Sequence, residues 1–402
     1  MAAFSSRRTF CASSYKAMKN ELIDFRGVGG LLPASLSRPG NVDAFAAERQ
    51  SRLGGDRGVR SMLKVATLIL LVVCSFSPFS MTAVEGRKHT LKLGTLAPTG
   101  TSFHKQLMLL KDRWGKASSG AVQLMVYPDG RQGTEAEMVA AMGLGSLQAG
   151  LLTAAGLSQI EPSVVALQSM PVAFRSLEEV DQIAVRMAPM LEQRLSAKGY
   201  AVLFWSDSGW VRFFTKQAVT LPDDLRKLKL FSWAGGKGEF EAWRAAGFNP
   251  VALEPNEIFS SLGTGIISAA PMPPFFALAT QVDTVAPFML EINWAPLVGA
   301  LVVRKDAWEK ISEAQRSELL KIASEIGGEI KARGRSEAAE SVAAMKKRKL
   351  KVQPMNAEAQ AAWDSAADKI RDKIRGPVVP VDLYDAVQGH LKDIRSGSGA
   401  GK

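Results

Sequence analysis

A reactive site needs groups that hold a metal, attack a substrate or move a proton, and this chain arranges few of them usefully. The three histidines, His89, His104 and His390, lie far apart, and none has a carboxylate or cysteine at metal-ligand spacing. Both cysteines, Cys11 and Cys74, precede residue 84, so the rest of the chain holds neither a disulfide framework nor a cysteine-rich metal site. There is no Gly-x-Ser-x-Gly elbow for a hydrolase nucleophile. "GGKGEF", from Gly235 to Phe240, lacks the Walker spacing of a phosphate loop. "GLGSLQAG", from Gly143 to Gly150, sits between a helix and a strand rather than after a strand, so it fails the dinucleotide pattern. These residues predict binding without catalysis, with no metal and no cofactor.

The stretch "LKLFSWAGG", Leu228 to Gly236, bears most directly on what is bound. Its alternation reads as a strand and Gly235-Gly236 as the exit. Leu228, Leu230 and Ser232 fall on one face, and Lys229, Phe231 and Trp233 on the other. With bulk on both faces, the strand is either buried on both sides or ends at an apolar hole.

The surrounding pattern supplies a frame. "HTLKLGTLAP" reads as a strand from His89, and Phe103, Leu107, Leu110 and Trp114 follow at helical spacing after a cap at Thr101 or Ser102. "AVQLMVYPDG" is a second strand stopped by Pro128-Asp129-Gly130, and a helix and a short strand at 149–153 come next. A helix over 177–198, strands over 200–205 and 211–215, a helix over 240–246 and the strand "VALE" continue the alternation. Such a rhythm predicts open, mostly parallel sheets with helices on their faces. Residues 306–345 are helix-rich, and "RSGSGAGK" reads as a flexible tail over 393–402.

The 402 residues leave room for two domains, and 47% apolar with 22% charged residues suits a globular protein. The net charge of +11 argues against nucleic acid once it is located. Residues 1–61 carry ten Lys/Arg and five Asp/Glu, and the 39 basic and 34 acidic residues beyond Ala83 are dispersed rather than gathered in one patch. Residues 62–83, "MLKVATLILLVVCSFSPFSMTA", have the lysine, short apolar run and small residues of a secretory signal peptide. That reading makes Met62 the start, residues 1–61 a non-native extension and the mature protein periplasmic. The alternative is a cytoplasmic tail before a membrane anchor. A lipid anchor at Cys74 stays open, although the preceding valine departs from a lipoprotein cleavage site.

"GTLAPTGTSFHK", "PDGRQGTEAEMVAAMGLGSLQAG", "MPVAFRSLEEV", "RFFTKQAVTLPDDLRKLKL" and "GFNPVALEPNEIFSSLGTGII" occur in this order between Leu91 and Lys392. In order and spacing they resemble the solute-binding proteins of TRAP (tripartite ATP-independent periplasmic) transporters, the DctP family. The resemblance implies an α/β, two-lobed periplasmic binding protein with mixed, mostly parallel sheets, a hinge and a long bridging helix. It groups residues 84–209 with 298–337 as lobe I and 210–297 with 338–392 as lobe II. It also implies a receptor that closes on a solute and delivers it to membrane permease subunits.

Departures from the family pattern shape the expected site. The strand corresponding to "LKLFSW" carries in most members an arginine that clamps a substrate carboxylate, and Phe231 stands there. Met272 replaces an asparagine before Pro273, and Trp294 aligns with a polar position. A phenyl ring cannot make a charge-assisted fork to a carboxylate. The expected ligand contacts are Phe231, Trp233, Met272, Trp294, Arg212, Phe275, Trp210 and Thr153, with Phe276 close by in sequence. An aromatic-lined cleft gains most from an apolar guest, so a hydrophobic or amphipathic small molecule is expected. A branch of the family that works with a tetratricopeptide-repeat partner is similar in lacking the clamp. Two alternatives stay open. One is a carboxylate receptor that uses Arg212 and Lys237, and the other is a periplasmic interaction protein whose cleft docks a partner.

Overall fold

The computed structural model describes residues 88–397. The extension, signal peptide and Cys74 of the sequence analysis lie outside the described residues. Among the described residues no helix is long and apolar enough to cross a membrane.

In chain order the strands are β1 (His89–Thr95), β2 (Val122–Tyr127), β3 (Ala149–Thr153), β4 (Tyr200–Trp210), β5 (Arg212–Thr215), β6 (Lys229–Trp233), β7 (Asn249–Leu253), β8 (Ala269–Met272), β9 (Phe288–Leu290), β10 (Pro296–Arg304) and β11 (Lys351–Gln353). The helices used below are α1 (Ser102–Ala117), α2 (Glu135–Gly143), α3 (Leu177–Ala197), α4 (Lys237–Ala245), α5 (Ile258–Thr264), α6 (Pro274–Ala279), α7 (Glu313–Lys347), α8 (Ala357–Ile374) and α9 (Val381–Arg395). One sheet runs β2-β1-β3-β10-β4 and the other β11-β9-β5-β8-β6-β7. Both are mixed. β1 pairs in parallel with β2 and β3, and β6 in parallel with β7 and β8, whereas β10 and β5 pair antiparallel with both neighbours.

Local chemistry sets several boundaries. Thr101 accepts the His104 N–H at the start of α1, and Thr134 forms a reciprocal capping box with Glu137 at the start of α2. The bulk on both faces of β6 is explained by apolar packing on each: Leu230 joins one core cluster and Phe231 another, and both are buried. The strand expected over 200–205 continues to Trp210, because its whole length pairs with β10.

The chain crosses between the sheets at Val211, returns between Leu290 and Pro296, and crosses again through α7. The first two crossings are tied together, since Val211 N–H donates to the Ala295 carbonyl at 2.8 Å and Trp294 N–H to the Val211 carbonyl at 3.3 Å. The third crossing is the bridging helix, which packs on β4, α1 and α6. Its approach to β4 depends on Gly327, where a Cβ would stand 2.4 Å from the Phe204 ring. Gly334, two turns later, lets Phe103 and the Asp207 carbonyl come close.

The C-terminus departs from the sequence-based grouping. α8 packs on α4, but α9 packs on α3, so the last helix returns to the first sheet's side rather than staying with residues 210–297. Residues 393–395, assigned from sequence to the tail, are helical. Helix α9 runs to Arg395, whose guanidinium donates to Glu179 at 2.9 and 2.8 Å and to the Ala173 carbonyl at 2.7 Å. Burial acts to raise the pKa of Glu179, but Arg395 and the Arg175 N–H hold it below its ordinary value.

Two outcomes are expected from these contacts. Gly327→Ala should cost about 1–3 kcal/mol of stability by overpacking against Phe204. Gly328→Ala, exposed with no atom near its Cβ, should gain roughly 0.5–1 kcal/mol from helix propensity; thermal denaturation of both variants checks the pair. A carboxylate with a depressed folded pKa stabilises above its ordinary value, about 4.3 for Glu, and loses that contribution as pH falls through the folded value. Arg395→Ala should therefore destabilise by about 1.5–3 kcal/mol at neutral pH, with the deficit shrinking below roughly pH 4 in denaturant titrations.

Candidate functional site

The carboxyl ends of β1, β3, β6 and β8 converge on one cleft between the two sheets, the usual ligand position in open α/β sheets. Its volume is about 250 Å³, just below the range of most small-molecule sites, which run about 300–1,000 Å³. Thr95 to Pro98, Leu151 to Thr153 and Ser206 to Ser208 line one side. Phe231 to Trp233, Glu239, Trp243 and Pro271 to Pro273 line the other. Trp294 and Ala295 of the return crossing and Leu297 to Gly299 of β10 supply part of the floor.

Six of the eight residues expected from sequence line this cleft: Phe231, Trp233, Met272, Trp294, Phe275 and Thr153. Trp210 does not. It closes β4, paired in register with Pro296, and packs against the main apolar core. Arg212 does not line it either. The neighbouring Val211 takes the cleft position, while Arg212 pairs in register with Met272. Burial lowers the pKa of Arg212, and the Glu291 charge opposes that shift. Lys237 is exposed outside the lining.

The aromatic wall is built from core packing. Trp294 stacks on Trp243 at 5.1 Å between ring centres and stands edge-on to Phe213 and Trp363, so the cleft floor continues into the core of the second lobe. Val172 holds a positive φ of 51°, a strained conformation for a β-branched residue, and donates its N–H to the Trp294 carbonyl at 2.7 Å. Trp233 donates from Nε1 to Glu254 at 3.0 Å, and its ring lies where a Cβ on Gly235 would stand, 2.3 Å away. Gly235 therefore ends the strand and makes room for the indole. Phe103 of α1 and Phe275 of α6 stack at 4.9 Å, with ring planes 11° apart, so one ring from each lobe meets beside the cleft.

The electrostatics are one-sided. Among the described residues no lysine, arginine or histidine lines the cleft, but three acidic side chains do: Glu135, Asp207 and Glu239. Asp207, 5% exposed, is neutralised by Arg335 of α7, which donates to both its oxygens at 2.9 and 2.6 Å. The same guanidinium holds Asp181 of α3 at 2.8 Å to each oxygen. Glu135, 3% exposed, accepts the Thr153 N–H at 2.7 Å and the Thr153 hydroxyl at 2.6 Å. Burial raises the pKa of Glu135, and the hydrogen bonds from Thr153 and Gly156 partly offset it. Glu239, in the first turn of α4, is also raised by burial, with a hydrogen bond from Trp243 opposing.

Sequence reading missed Phe103, Glu135, Val211, Trp243 and Glu239 at this site. Phe103 carried the pattern of a helix core position, and it is that as well. Glu135 and Glu239 follow turn residues at helix starts, where a glutamate ordinarily serves only the helix.

The comparisons agree on one family. Residues 93–375 match the family described as bacterial extracellular solute-binding protein, family 7 (DctP). The C4-dicarboxylate-binding periplasmic protein DctP of Rhodobacter capsulatus is 25% identical over 264 residues, covering 64% of this chain and 78% of that protein. A TRAP periplasmic solute-binding protein from Sulfurospirillum deleyianum, solved with bound succinate, superposes with a TM-score of 0.69 at 19% identity. The match spans 75% of this chain and 99% of that one. Another from Desulfovibrio salexigens, with bound orotic acid, gives 0.71 at 15% identity over 76% of this chain and all of that one. A third, from Roseobacter denitrificans with bound L-galactonate, gives 0.69 at 19% identity over 76% of this chain and 99% of that one. With two mixed α/β sheets, a cleft at their strand ends and a helix bridging them, the chain belongs to the DctP family of TRAP periplasmic solute-binding receptors.

Proposed function

We propose that this receptor captures a hydrophobic or amphipathic small molecule that carries no carboxylate and delivers it to TRAP permease subunits. The observation that carries this reading is the lining itself, aromatic and, among the described residues, without a single cationic side chain. A carboxylate taken from water into such a cleft would be left without a partner, which costs several kcal/mol. Apolar area removed from water on the same wall contributes about 25 cal/mol per Å². Phe231, Trp233, Met272, Trp294 and Phe275 are the proposed apolar contacts, and Thr153 is committed to Glu135.

A second reading is favoured by the relatives, three of which were solved with succinate, orotic acid and L-galactonate. On that reading Arg212 or Lys237 swings into the cleft as a carboxylate clamp. A tetratricopeptide-repeat partner is a further proposal and rests only on the missing clamp arginine.

Native mass spectrometry of the purified protein, with extraction of any retained small molecule, separates the two readings. A neutral or lipid-like species is expected, and Phe231→Arg should abolish its retention. Stabilisation of the wild type by succinate or galactonate, with no effect of apolar compounds, would overturn the hydrophobic reading.

A further inference from the structure

The charge pattern of the cleft narrows the ligand class further, and this inference rests on the apolar reading above. Glu135 opens helix α2 and Glu239 lies in the first turn of α4, one from each side of the cleft. A helix N-terminus attracts anions through its free N–H groups and its dipole. Here each of these two ends already has a carboxyl group of the chain itself, so the place an anion would take beside the helix N–H groups is occupied by an acidic side chain.

The three carboxylates differ in how they are balanced. Asp207 is paired with Arg335. Glu135 is held by the Thr153 N–H and hydroxyl. Glu239 makes no ion pair among the described residues, and Trp243 lines the cleft with it. It therefore faces the cleft as an acid without a counter-charge, half-buried, with Trp233 and Trp243 lining the same side. On the opposite side Ser206 is 7% exposed and its hydroxyl has no hydrogen-bond partner among the described residues. A buried polar atom left unpaired is costly, and a ligand carrying a polar group would satisfy it.

We propose that the cleft selects an organic cation, an amine or quaternary ammonium on an apolar body, with Glu239 as its counter-charge and the Trp233 and Trp243 indoles as its aromatic partners. An ammonium is attracted to the faces of indole rings, most strongly where water is excluded. The apolar body would occupy the wall formed by Phe231, Met272 and Phe275. Glu239 is then the residue that decides specificity, since it penalises carboxylates and rewards cations at the same position.

Titration calorimetry of the full chain with three matched probes tests this: octyltrimethylammonium, octanol and octanoate. In the wild type the ammonium should bind about tenfold tighter than octanol, with octanoate weakest. Glu239→Gln should lower the ammonium's affinity by about tenfold, and so close the gap with octanol. Equal wild-type affinities for the ammonium and octanol would overturn the cation proposal and leave the apolar cleft standing. So would a folded Glu239→Gln that leaves the ammonium's affinity unchanged. Tightest binding of octanoate, or binding of succinate with no octyl probe, would overturn both. The wild-type ranking decides the matter even if the variant does not fold.

Discussion

Asp207 is a charge in a place where charge is expensive, and much of the site's geometry follows from how it is neutralised. It sits near the end of β4, just before the chain leaves the first lobe, almost out of contact with water. A carboxylate there must be paired, because breaking a buried pair leaves an uncompensated ion at a cost of about 3–5 kcal/mol. The partner, Arg335, comes from the bridging helix and also grips Asp181 on α3. One guanidinium thus fixes a strand and two helices beside the crossing at Val211. The two aspartates hold its proton more firmly than an ordinary arginine's, although burial works against them. Gly327 and Gly334 serve the same contact sterically by removing side chains where helix and strand meet.

This anchorage explains why the rings beside the cleft are well placed without belonging to it alone. Phe103 is pressed between Gly334 and Phe275, and Trp294 is held by Trp243, Phe213, Trp363 and the strained Val172. Side chains locked by packing keep their positions whether or not a ligand is present, which lowers the ordering cost of binding. The wall of the cleft is therefore an exposed margin of the core, and its apolar character and its rigidity have one origin.

The family relationship and the local chemistry point in different directions at one place. The solved relatives include proteins with succinate, orotic acid and L-galactonate bound, whereas among the described residues this cleft is lined by three carboxyl groups and no cation. The fold is shared because it is specified by strand order, crossings and the bridging helix. Ligand choice is specified by a few side chains at the strand ends, which can change while the frame stays.

The sequence by itself determined the alternation of strands and helices, the long helix after residue 306, and the aromatic character of the 228–236 stretch. Each is a local property, carried by apolar spacing, caps and glycine exits that act within a few residues. The family resemblance pointed to Phe231 and Met272 as replaced clamp positions and to Trp233 beside them, and all three line the cleft from the carboxyl-terminal parts of β6 and β8. Tertiary structure alone decided that Val211 rather than Arg212 lines the cleft, since two crossing segments pair through Val211's backbone. It alone returned α9 to the first lobe, where Arg395 finds Glu179 216 residues away in sequence. And it alone made Glu135 and Glu239 neighbours of one cleft. A glutamate at a helix start looks the same in sequence whether it faces solvent or a ligand, and only the packing of the two lobes removes the water that would have made the difference irrelevant.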